Sequence, residues 1–322
     1  MKPRLALSCG DPAGIGPEIT VMAAARPEIV RACDLVVYGD ERALARAREV
    51  CRIRPQAPTA IRETIGVSRL RKTANWWKPS VTAGQAAFSA LDRAARDVMA
   101  GHADALVTAP LSKYWIDQAG HHYDGHTGFL SELAGCDAVM MLTGKRLRVV
   151  LVTTHIALAD VPKRLTCDGI VRAAVTAADH LRDRHDIAKP CLAVAALNPH
   201  AGEGGLFGDE ESRLIAPAIT KLKRRGIDAR GPFPADTLFA AAANGQYDAV
   251  ICMYHDQALI PLKLLEFGQS VNVSMGLPFI RTSPDHGTAY DIAGTGSADP
   301  GSLVAAIRLA AAMARKSPLK SL

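Results

Sequence analysis

Three histidines each follow an apolar segment directly. They lie in TTH (153–155), NPH (198–200) and MYHDQ (253–257), after the segments RVVLVTT, CLAVAALNP and DAVICMY. Because α/β proteins bind ligands beyond the carboxyl ends of their strands, three imidazoles there could hold one divalent ion and leave positions open for water or substrate. The pattern therefore predicts a metal site formed by His155, His200 and His255. Taken singly, each is more simply explained as a hydrogen-bonded histidine at a strand end.

The residues around these histidines favour a binding site. His200 lies in NPHAGEGG (198–205), where small residues permit close approach of the backbone to a ligand. Asp256 and Gln257 follow His255 and are suited to orient an imidazole or a substrate. Further along, three separated donors suit phosphate and carboxylate recognition, although any one of them could be a surface residue. They are Lys263, Asn272 and Arg281.

Two glycine-rich segments lie near the ends of the chain. The first, GDPAGIGPEI (10–19), follows an apolar segment and precedes a helical pattern, but it has neither the Lys of a P-loop nor the GxGxxG of a Rossmann turn. A tight turn without a ligand explains it equally well. The second runs from His286 to Gly296, and a third short motif, GHTGFL (125–130), opens a helical pattern.

Short β-type segments alternate with longer helical patterns, which predicts an α/β fold with a mainly parallel sheet. The predicted strands are 4–9, 35–38, 105–108, 139–142, 147–153, 192–196 and 249–253, and the predicted helices are 17–25, 85–99, 168–182, 209–225, 237–243 and 302–313. No Pro/Gly/Ser-rich linker separates two halves. Two domains would therefore require the chain to cross between them more than once.

Composition excludes several classes of protein. The 322 residues are 48% hydrophobic and 22% charged, and the net charge of +6 is dispersed rather than clustered, which does not favour a nucleic-acid partner. The sequence has neither a signal-peptide core nor an apolar segment of membrane-spanning length. Its seven cysteines are scattered and form no CxxC pair, as expected of free thiols in a reducing compartment. We therefore expect a cytoplasmic protein without a membrane partner.

Taken together, these motifs resemble the 4-hydroxythreonine-4-phosphate dehydrogenase family of pyridoxal phosphate biosynthesis. The matching segments span residues 10 to 302 in the family's order; they are GDPAGIGPEI (10–19), GHT (125–127), TTH (153–155), LNPHAGEGG (197–205), PADTLF (234–239), MYHDQ (253–257) and GLPFIRTSPDHGTAYDIAGTG (276–296). The first and last segments also resemble the wider isocitrate and isopropylmalate dehydrogenase superfamily, which binds NAD(P) without a Rossmann turn. One departure is Gly128, where the family usually has Glu.

The resemblance implies a two-subdomain α/β/α fold, with the active site in the interdomain cleft at a dimer interface. Residues 1–121 with 291–322 would form the cofactor-side subdomain, and 122–290 the subdomain for substrate, metal and dimerisation. The implied metal ligands are His155, His200 and His255, drawn from both subunits of a homodimer. The implied substrate contacts are His126, Thr127, Lys263, Asn272 and Arg281, with Lys263 and Asp236 as the catalytic pair. The implied cofactor contacts are Gly10, Asp11, Gly14, Gly287, Thr288 and Gly294.

The implied reaction is oxidation of the C3 hydroxyl of 4-phosphohydroxy-L-threonine. It would use NAD or NADP and one divalent ion per site (Zn, Mg, Co or Mn), and the 2-amino-3-oxo-4-phosphooxybutanoate formed would decarboxylate to 3-amino-2-oxopropyl phosphate. Three alternatives stay open. One is a related dehydrogenase of 4-phospho-D-threonate or erythronate, another is a dihydrodiol dicarboxylate dehydrogenase, and the last is a non-catalytic metal-binding protein on the same scaffold. Arg281 and Asp285 in FIRTSPDHG favour a phosphate-bearing substrate over the dihydrodiol.

Overall fold

The computed structural model describes residues 2–68, 70 and 77–316, and it is an α/β structure. Its contacts divide the chain into two units. The first unit contains the chain up to Ala138 together with the segment from Leu277 onward, and the second unit is Val139–Gly276. The chain thus leaves the first unit and later returns to it, which explains why the sequence has no linker between two halves.

The first unit is built on a parallel sheet with the strand order β3-β2-β1-β4-β11. These strands are β1 (Arg4–Ser8), β2 (Asp34–Gly39), β3 (Ile61–Gly66), β4 (Ala105–Thr108) and β11 (Ile280–Pro284). Its helices are α1 (Gly16–Ala24), α2 (Pro27–Ala32), α3 (Glu41–Val50), α4 (Val81–Met99), α5 (Lys113–Gln118), α6 (His126–Ala134) and α12 (Gly301–Lys316). Strands β1, β2 and β4 are buried along nearly their whole length, as expected of a parallel sheet covered by helices on its faces.

A buried apolar cluster of the first unit includes residues from α6 and from the segment before β11. Phe88 and Leu91 of α4 pack in one buried cluster with Phe129 and Leu130 of α6 and with Phe279, which precedes β11. The GHT motif and Arg281 therefore lie in the first unit. The division between the units falls after Ala138 and after Gly276, compared with 121 and 290 in the sequence-based boundaries.

The second unit is built on a mixed sheet with the strand order β10-β5-β6-β9-β7-β8. Strand β5 is antiparallel to β10 and β6, whereas β6, β9, β7 and β8 are parallel to one another. These strands are β5 (Val139–Thr143), β6 (Arg148–Leu151), β7 (Cys191–Ala195), β8 (Asp228–Phe233), β9 (Ala249–Cys252) and β10 (Val271–Met275). The helices are α7 (Val161–Arg164), α8 (Cys167–His185), α9 (Ala216–Arg224), α10 (Ala235–Ala243) and α11 (His255–Glu266), with short helical turns at Leu158–Asp160, Pro199–Gly205 and Glu211–Ile215.

The predicted α/β class is confirmed, and all seven predicted strands are present, β4 with the predicted ends and the other six with shifted ends. Four strands, β3, β8, β10 and β11, were not predicted. All seven cysteines are free thiols, and Cys9, Cys33 and Cys252 are buried. None of the helices in the described part of the chain has both the length and the apolar composition that are needed to cross a membrane.

Candidate active site

The three predicted metal ligands follow three neighbouring strands of the second unit. Strand β9 lies between β6 and β7 and is parallel to both, with Leu151 opposite Cys252 and Val194 opposite Ile251. Parallel strands end at the same edge of a sheet, so His155, His200 and His255 all follow strands at this edge. The sequence-based expectation that they follow the carboxyl ends of parallel strands is therefore met.

His155 and His255 come together, with ring centroids 5.5 Å apart and an angle of 43° between the rings. The backbone explains this proximity, because Val152 N donates to Cys252 O (2.9 Å) and Thr153 N to Met253 O (3.3 Å), which extends the strand pairing up to the histidines. Within residues 2–68, 70 and 77–316, no three His, Cys, Asp or Glu side chains are close enough to hold an ion together. His200 thus does not join the other two in one metal-binding set of a single chain.

Two of the three imidazoles are held by a carboxylate at the same nitrogen. Nδ1 of His255 lies 2.7 Å from Oδ1 of Asp256, and Nδ1 of His200 lies 2.8 Å from Oε2 of Glu203. A carboxylate that accepts the Nδ1–H leaves the lone pair of the neutral ring on Nε2, where it can bind a metal ion. This donor set fits a divalent ion that favours imidazole nitrogen.

Asp256 therefore contacts the histidine that it was expected to orient, whereas Gln257 has a structural role. The buried amide of Gln257 accepts a hydrogen bond from Met253 N at 2.7 Å and donates to Ala196 O at 2.6 Å. Those two backbone atoms lie just beyond the ends of β9 and β7. Gln257 thus fixes the spacing of the two strand ends from which the loops carrying His255 and His200 begin.

The predicted catalytic pair lies on two helices of the second unit. Asp236 is exposed in the first turn of α10, and Lys263 is partly buried on α11, two helical turns after His255. Asn272 lies on β10 opposite Leu142, and its Oδ1 is shielded from solvent without a hydrogen-bond partner among the described residues. An amide oxygen left in this way can accept a hydrogen bond from a ligand.

The first unit holds a buried cationic group beside a neutral imidazole. Arg281 on β11 is only 2% exposed, its Nη2 donates to Thr108 Oγ1 at 2.8 Å, and burial lowers the pKa of its guanidinium to about 9. His126, the first residue of α6, has a pKa well below its usual range, first because its ring is buried and second because of the positive charge of Arg281. Its Nε2 has no hydrogen-bond partner in the described chain. Thr127 follows it in the first turn of α6.

The two glycine-rich segments of the first unit meet. Ile15 N donates to Thr288 O at 3.0 Å, and a Cβ on Gly14 would lie 2.6 Å from that same oxygen. Asp11 accepts hydrogen bonds from Ala13 N (2.8 Å) and from the phenol of Tyr290 (2.6 Å). Gly10 begins this turn with a φ of 71°, and Gly287 is exposed in the opposite segment. Of the predicted cofactor contacts, the structure therefore joins Gly14 directly to Thr288, and Asp11 to that segment through Tyr290.

The buried carboxylate of Glu18 was not recognised as a site residue from the sequence. It accepts hydrogen bonds from Gly294 N at 2.6 Å and Gly296 N at 3.0 Å, and both glycines have positive φ. The amide of Gly294 is thereby engaged within the chain. In sequence Glu18 is simply an acidic residue at the start of a helical pattern, and nothing local in GIGPEI reveals contacts with residues 276 and 278 positions away.

Gly128 has an acidic neighbour. A Cβ at this position would overlap Oδ1 of Asp124, so the carboxylate of Asp124 occupies the space beside the first turn of α6. A negative charge is favourable near a helix N-terminus. Any residue larger than glycine at position 128 would require Asp124 to move.

Comparison with known proteins shows one consistent relationship. The family model of the pyridoxal phosphate biosynthetic protein PdxA matches residues 31–310. A 4-hydroxythreonine-4-phosphate dehydrogenase of Geobacter metallireducens is 49% identical, over 98% of this chain and 96% of the relative. The crystal structure of the enzyme of that name from Klebsiella pneumoniae superposes with a TM-score of 0.87 at 39% identity, covering 97% of this chain and 99% of the other.

A second type of dehydrogenase is also similar but less so. A terephthalate 1,2-cis-dihydrodiol dehydrogenase from Burkholderia xenovorans gives a TM-score of 0.67 at 34% identity, covering 97% of this chain and 98% of the other. Both measures are lower than those of the Klebsiella structure.

Proposed function

The chain belongs to the PdxA family of pyridoxal phosphate biosynthetic proteins, and from this we propose that it is a 4-hydroxythreonine-4-phosphate dehydrogenase. The substrate is 4-phosphohydroxy-L-threonine, which is oxidised at the C3 hydroxyl and then loses its carboxylate as CO2. The observation that carries the proposal is the 49% identity to a curated dehydrogenase of this name over nearly the full length of both chains.

Three imidazoles support a divalent-metal requirement. His155 and His255 are neighbours at one sheet edge, and His200 follows the adjacent strand β7. The family resemblance implies that both subunits of a homodimer contribute ligands to this site. When bound, the ion supplies Lewis acidity that lowers the pKa of the C3 hydroxyl and polarises the ketone before decarboxylation.

The residues proposed to bind the substrate differ in charge. Arg281 and Lys263 supply positive groups for the phosphate and the carboxylate of the substrate. Asn272 and the neutral His126 offer acceptors, Oδ1 and Nε2, that have no hydrogen-bond partner among the residues described. Thr127 adds a hydroxyl in the same helical turn as His126. Such a mixture suits a substrate with two anionic ends, a hydroxyl and an ammonium group.

The oxidation removes a proton from the C3 hydroxyl and a hydride from C3. We assign the proton to a relay formed by Lys263 and Asp236, which lie in α11 and α10 of the same unit. When bound, NAD or NADP would supply the nicotinamide ring that accepts this hydride. We propose that two segments position that cofactor: the turn with Gly10, Asp11 and Gly14, and the segment with Gly287, Thr288 and Gly294.

The seven free thiols support a reducing compartment such as the cytoplasm.

An exposed apolar stripe on α11 supports dimerisation. Ile260, Leu264 and Phe267 are 66%, 84% and 83% exposed, and at intervals of four and three residues they lie along one side of the helix and its end. Exposed apolar patches of this kind mark protein interfaces. The same helix also carries His255 and Lys263.

The proposal is tested by a substrate comparison. NADH formation is measured with 4-phosphohydroxy-L-threonine and with 4-phospho-D-threonate, each with NAD and a divalent ion. We expect kcat/KM to favour the amino acid by more than about 100-fold, because a site with buried acceptors for an ammonium group rejects an analogue that lacks it. Preference for the threonate would replace the proposed substrate. Turnover with neither substrate would contradict dehydrogenase activity altogether.

A further inference from the structure

The loop that carries His200 is a left-handed turn. All six residues from 200 to 205 have positive φ: His200 51°, Ala201 55°, Gly202 81°, Glu203 44°, Gly204 66° and Gly205 101°. Only glycine adopts this region freely, so His200, Ala201 and Glu203 hold an unfavourable backbone conformation. Strain of this kind persists only where the surrounding structure imposes it, and it is concentrated at functional sites.

A buried carboxylate fixes the start of this turn. Glu211 is 6% exposed, and its Oε1 accepts hydrogen bonds from Leu197 N at 2.9 Å and Asn198 N at 2.8 Å. Its Oε2 accepts from Asn198 Nδ2 at 3.0 Å. The turn passes so close that a Cβ on Gly202 would lie 2.8 Å from Oε2 of Glu211. Glu211 therefore determines where the chain enters the left-handed turn, just before His200.

Within the turn, Glu203 holds the imidazole of His200. Oε2 of Glu203 lies 2.8 Å from Nδ1 of His200, although the His200 side chain is 65% exposed. An exposed surface ion pair contributes little to stability, so this contact has no evident value for the fold. Asp256 holds Nδ1 of His255 in the same way at 2.7 Å. Two proposed metal ligands thus share one arrangement, which leaves Nε2 of both rings pointing away from the carboxylate.

We propose that Glu203 is a positioning residue for metal binding, which acts through His200 and not by contact with the substrate. The left-handed turn brings the carboxylate of Glu203 back to the ring three residues earlier. The carboxylate selects the tautomer with hydrogen on Nδ1, so Nε2 is ready to coordinate the ion. This inference rests on the proposed metal-dependent function.

The first test measures binding of Co²⁺ alone, followed by the visible absorption of the bound ion. Glu203→Ala is expected to weaken Co²⁺ binding by about 10- to 100-fold, the range found when such an orienting partner of a ligand is removed. Glu203→Gln should retain affinity within a few-fold, because the amide oxygen can still accept the Nδ1–H. The matched control is Asp117→Ala, which removes the partner of the exposed His122, held at a similar distance of 2.7 Å, and should leave Co²⁺ affinity unchanged.

A second measurement does not need the metal. Long-range ¹H–¹⁵N spectra of the metal-free protein report which ring nitrogen of His200 carries hydrogen, with His200→Ala to assign the signal. We expect Nδ1–H in the wild-type chain and in Glu203→Gln, and a shift toward Nε2–H in Glu203→Ala. Unchanged Co²⁺ affinity and an unchanged tautomer in Glu203→Ala would overturn the inference but leave the dehydrogenase proposal intact. If the wild-type chain bound no Co²⁺, the metal requirement and the inference would both be overturned.

Discussion

The phenol of Tyr290 donates a hydrogen bond of 2.6 Å to Oδ2 of Asp11, and this contact joins two glycine-rich segments that are 279 residues apart. Burial raises the pKa of the Asp11 carboxyl, which the hydrogen bonds from Tyr290 and Ala13 oppose. Burial and the neighbouring Asp11 also raise the pKa of Tyr290. Because Ala13 N donates to Oδ1, both carboxylate oxygens of Asp11 form hydrogen bonds that stabilise the glycine-rich turn at residues 10–16.

Tyr290→Phe should lower the free energy of unfolding by about 1–3 kcal/mol, because it leaves Oδ2 of Asp11 buried without its donor. It should also raise KM for NAD more than it changes KM for the substrate, since the two proposed cofactor segments lose their link. Urea unfolding and steady-state kinetics measure the two effects. Tyr114→Phe is the control, because Tyr114 is 61% exposed. Equal effects of the two variants would contradict this role of Tyr290.

Gly14→Ala should destabilise the first unit by about 1–3 kcal/mol, because the new methyl group would overlap Thr288 O and force the two segments apart. Gly287→Ala is the matched control in the opposite segment. It has no heavy atom within 4 Å of the new Cβ, so we expect a change within about 1 kcal/mol. Thermal unfolding of both variants measures the two changes in stability. If Gly14→Ala were as stable as the wild type, the close approach of Gly14 to Thr288 O would not be required.

His200→Ala and His255→Ala should each abolish turnover and weaken metal binding by more than about 100-fold, a larger loss than removal of an orienting partner causes. Their circular dichroism spectra should match the wild type, since neither ring is part of the apolar core. Metal content is measured after dialysis against a chelator and titration with Co²⁺. Near-wild-type activity of either variant after this treatment would refute the metal assignment.

His180 makes the second unit sensitive to acid. Burial, with smaller contributions from His185 and Arg184, lowers the pKa of its imidazole to about 3 from the usual 6.5. Between these two pH values the unfolded chain binds more protons at this residue than the folded chain does. The contribution of His180 to the free energy of unfolding is therefore complete above pH 6.5 and falls as the pH drops toward 3. His180→Phe should reduce the loss of stability between pH 7 and pH 4 by about 1–3 kcal/mol.

Urea unfolding at several pH values measures this effect. The control is His102→Phe, because the His102 side chain is 68% exposed. A pH profile for His180→Phe parallel to that of the wild type would assign the acid sensitivity to other groups.

Ile260→Arg combined with Leu264→Arg should convert the proposed dimer to a monomer, because two charges would be placed on the apolar stripe of α11. Light scattering after size-exclusion chromatography reports the molar mass. Val81→Arg, which changes a 47% exposed apolar residue on α4, is expected to leave the mass unchanged. A wild-type chain that is monomeric at micromolar concentration would remove the proposed interface.

The sequence predicted the strands whose apolar character is continuous and missed those in which polar residues are buried or exposed at an edge. Strand β11 has the sequence IRTSP, whose polar composition is typical of a loop, although Arg281, Thr282 and Ser283 are all buried in the structure. Strands β3 and β8 are edge strands with charged residues and little apolar signal. Hydrophobic periodicity does not reveal such elements.

The sequence predicted that the three candidate metal ligands follow the ends of strands, but not how those strands are arranged. That β9 lies between β6 and β7 follows from the topology of the sheet and is not encoded near any of the three histidines. The left-handed backbone of His200, Ala201 and Glu203 is likewise not a preference of these residue types, and it follows a segment that the distant Glu211 holds at Leu197. Long-range contacts of this kind, including that of Glu18 with Gly294, become visible only once the fold is formed.

The first unit is assembled from both ends of the chain, and this sets an order on its formation during synthesis. A ribosome delivers β1 to β4 first, but strand β4 lacks its neighbour β11 until residues 280–284 have emerged. The second unit, by contrast, is one continuous segment that is complete at Gly276. All residues of the second unit have therefore emerged before the glycine-rich turn at residues 10–16 can make its contacts with Thr288 and Tyr290. The chain completes its proposed cofactor side last.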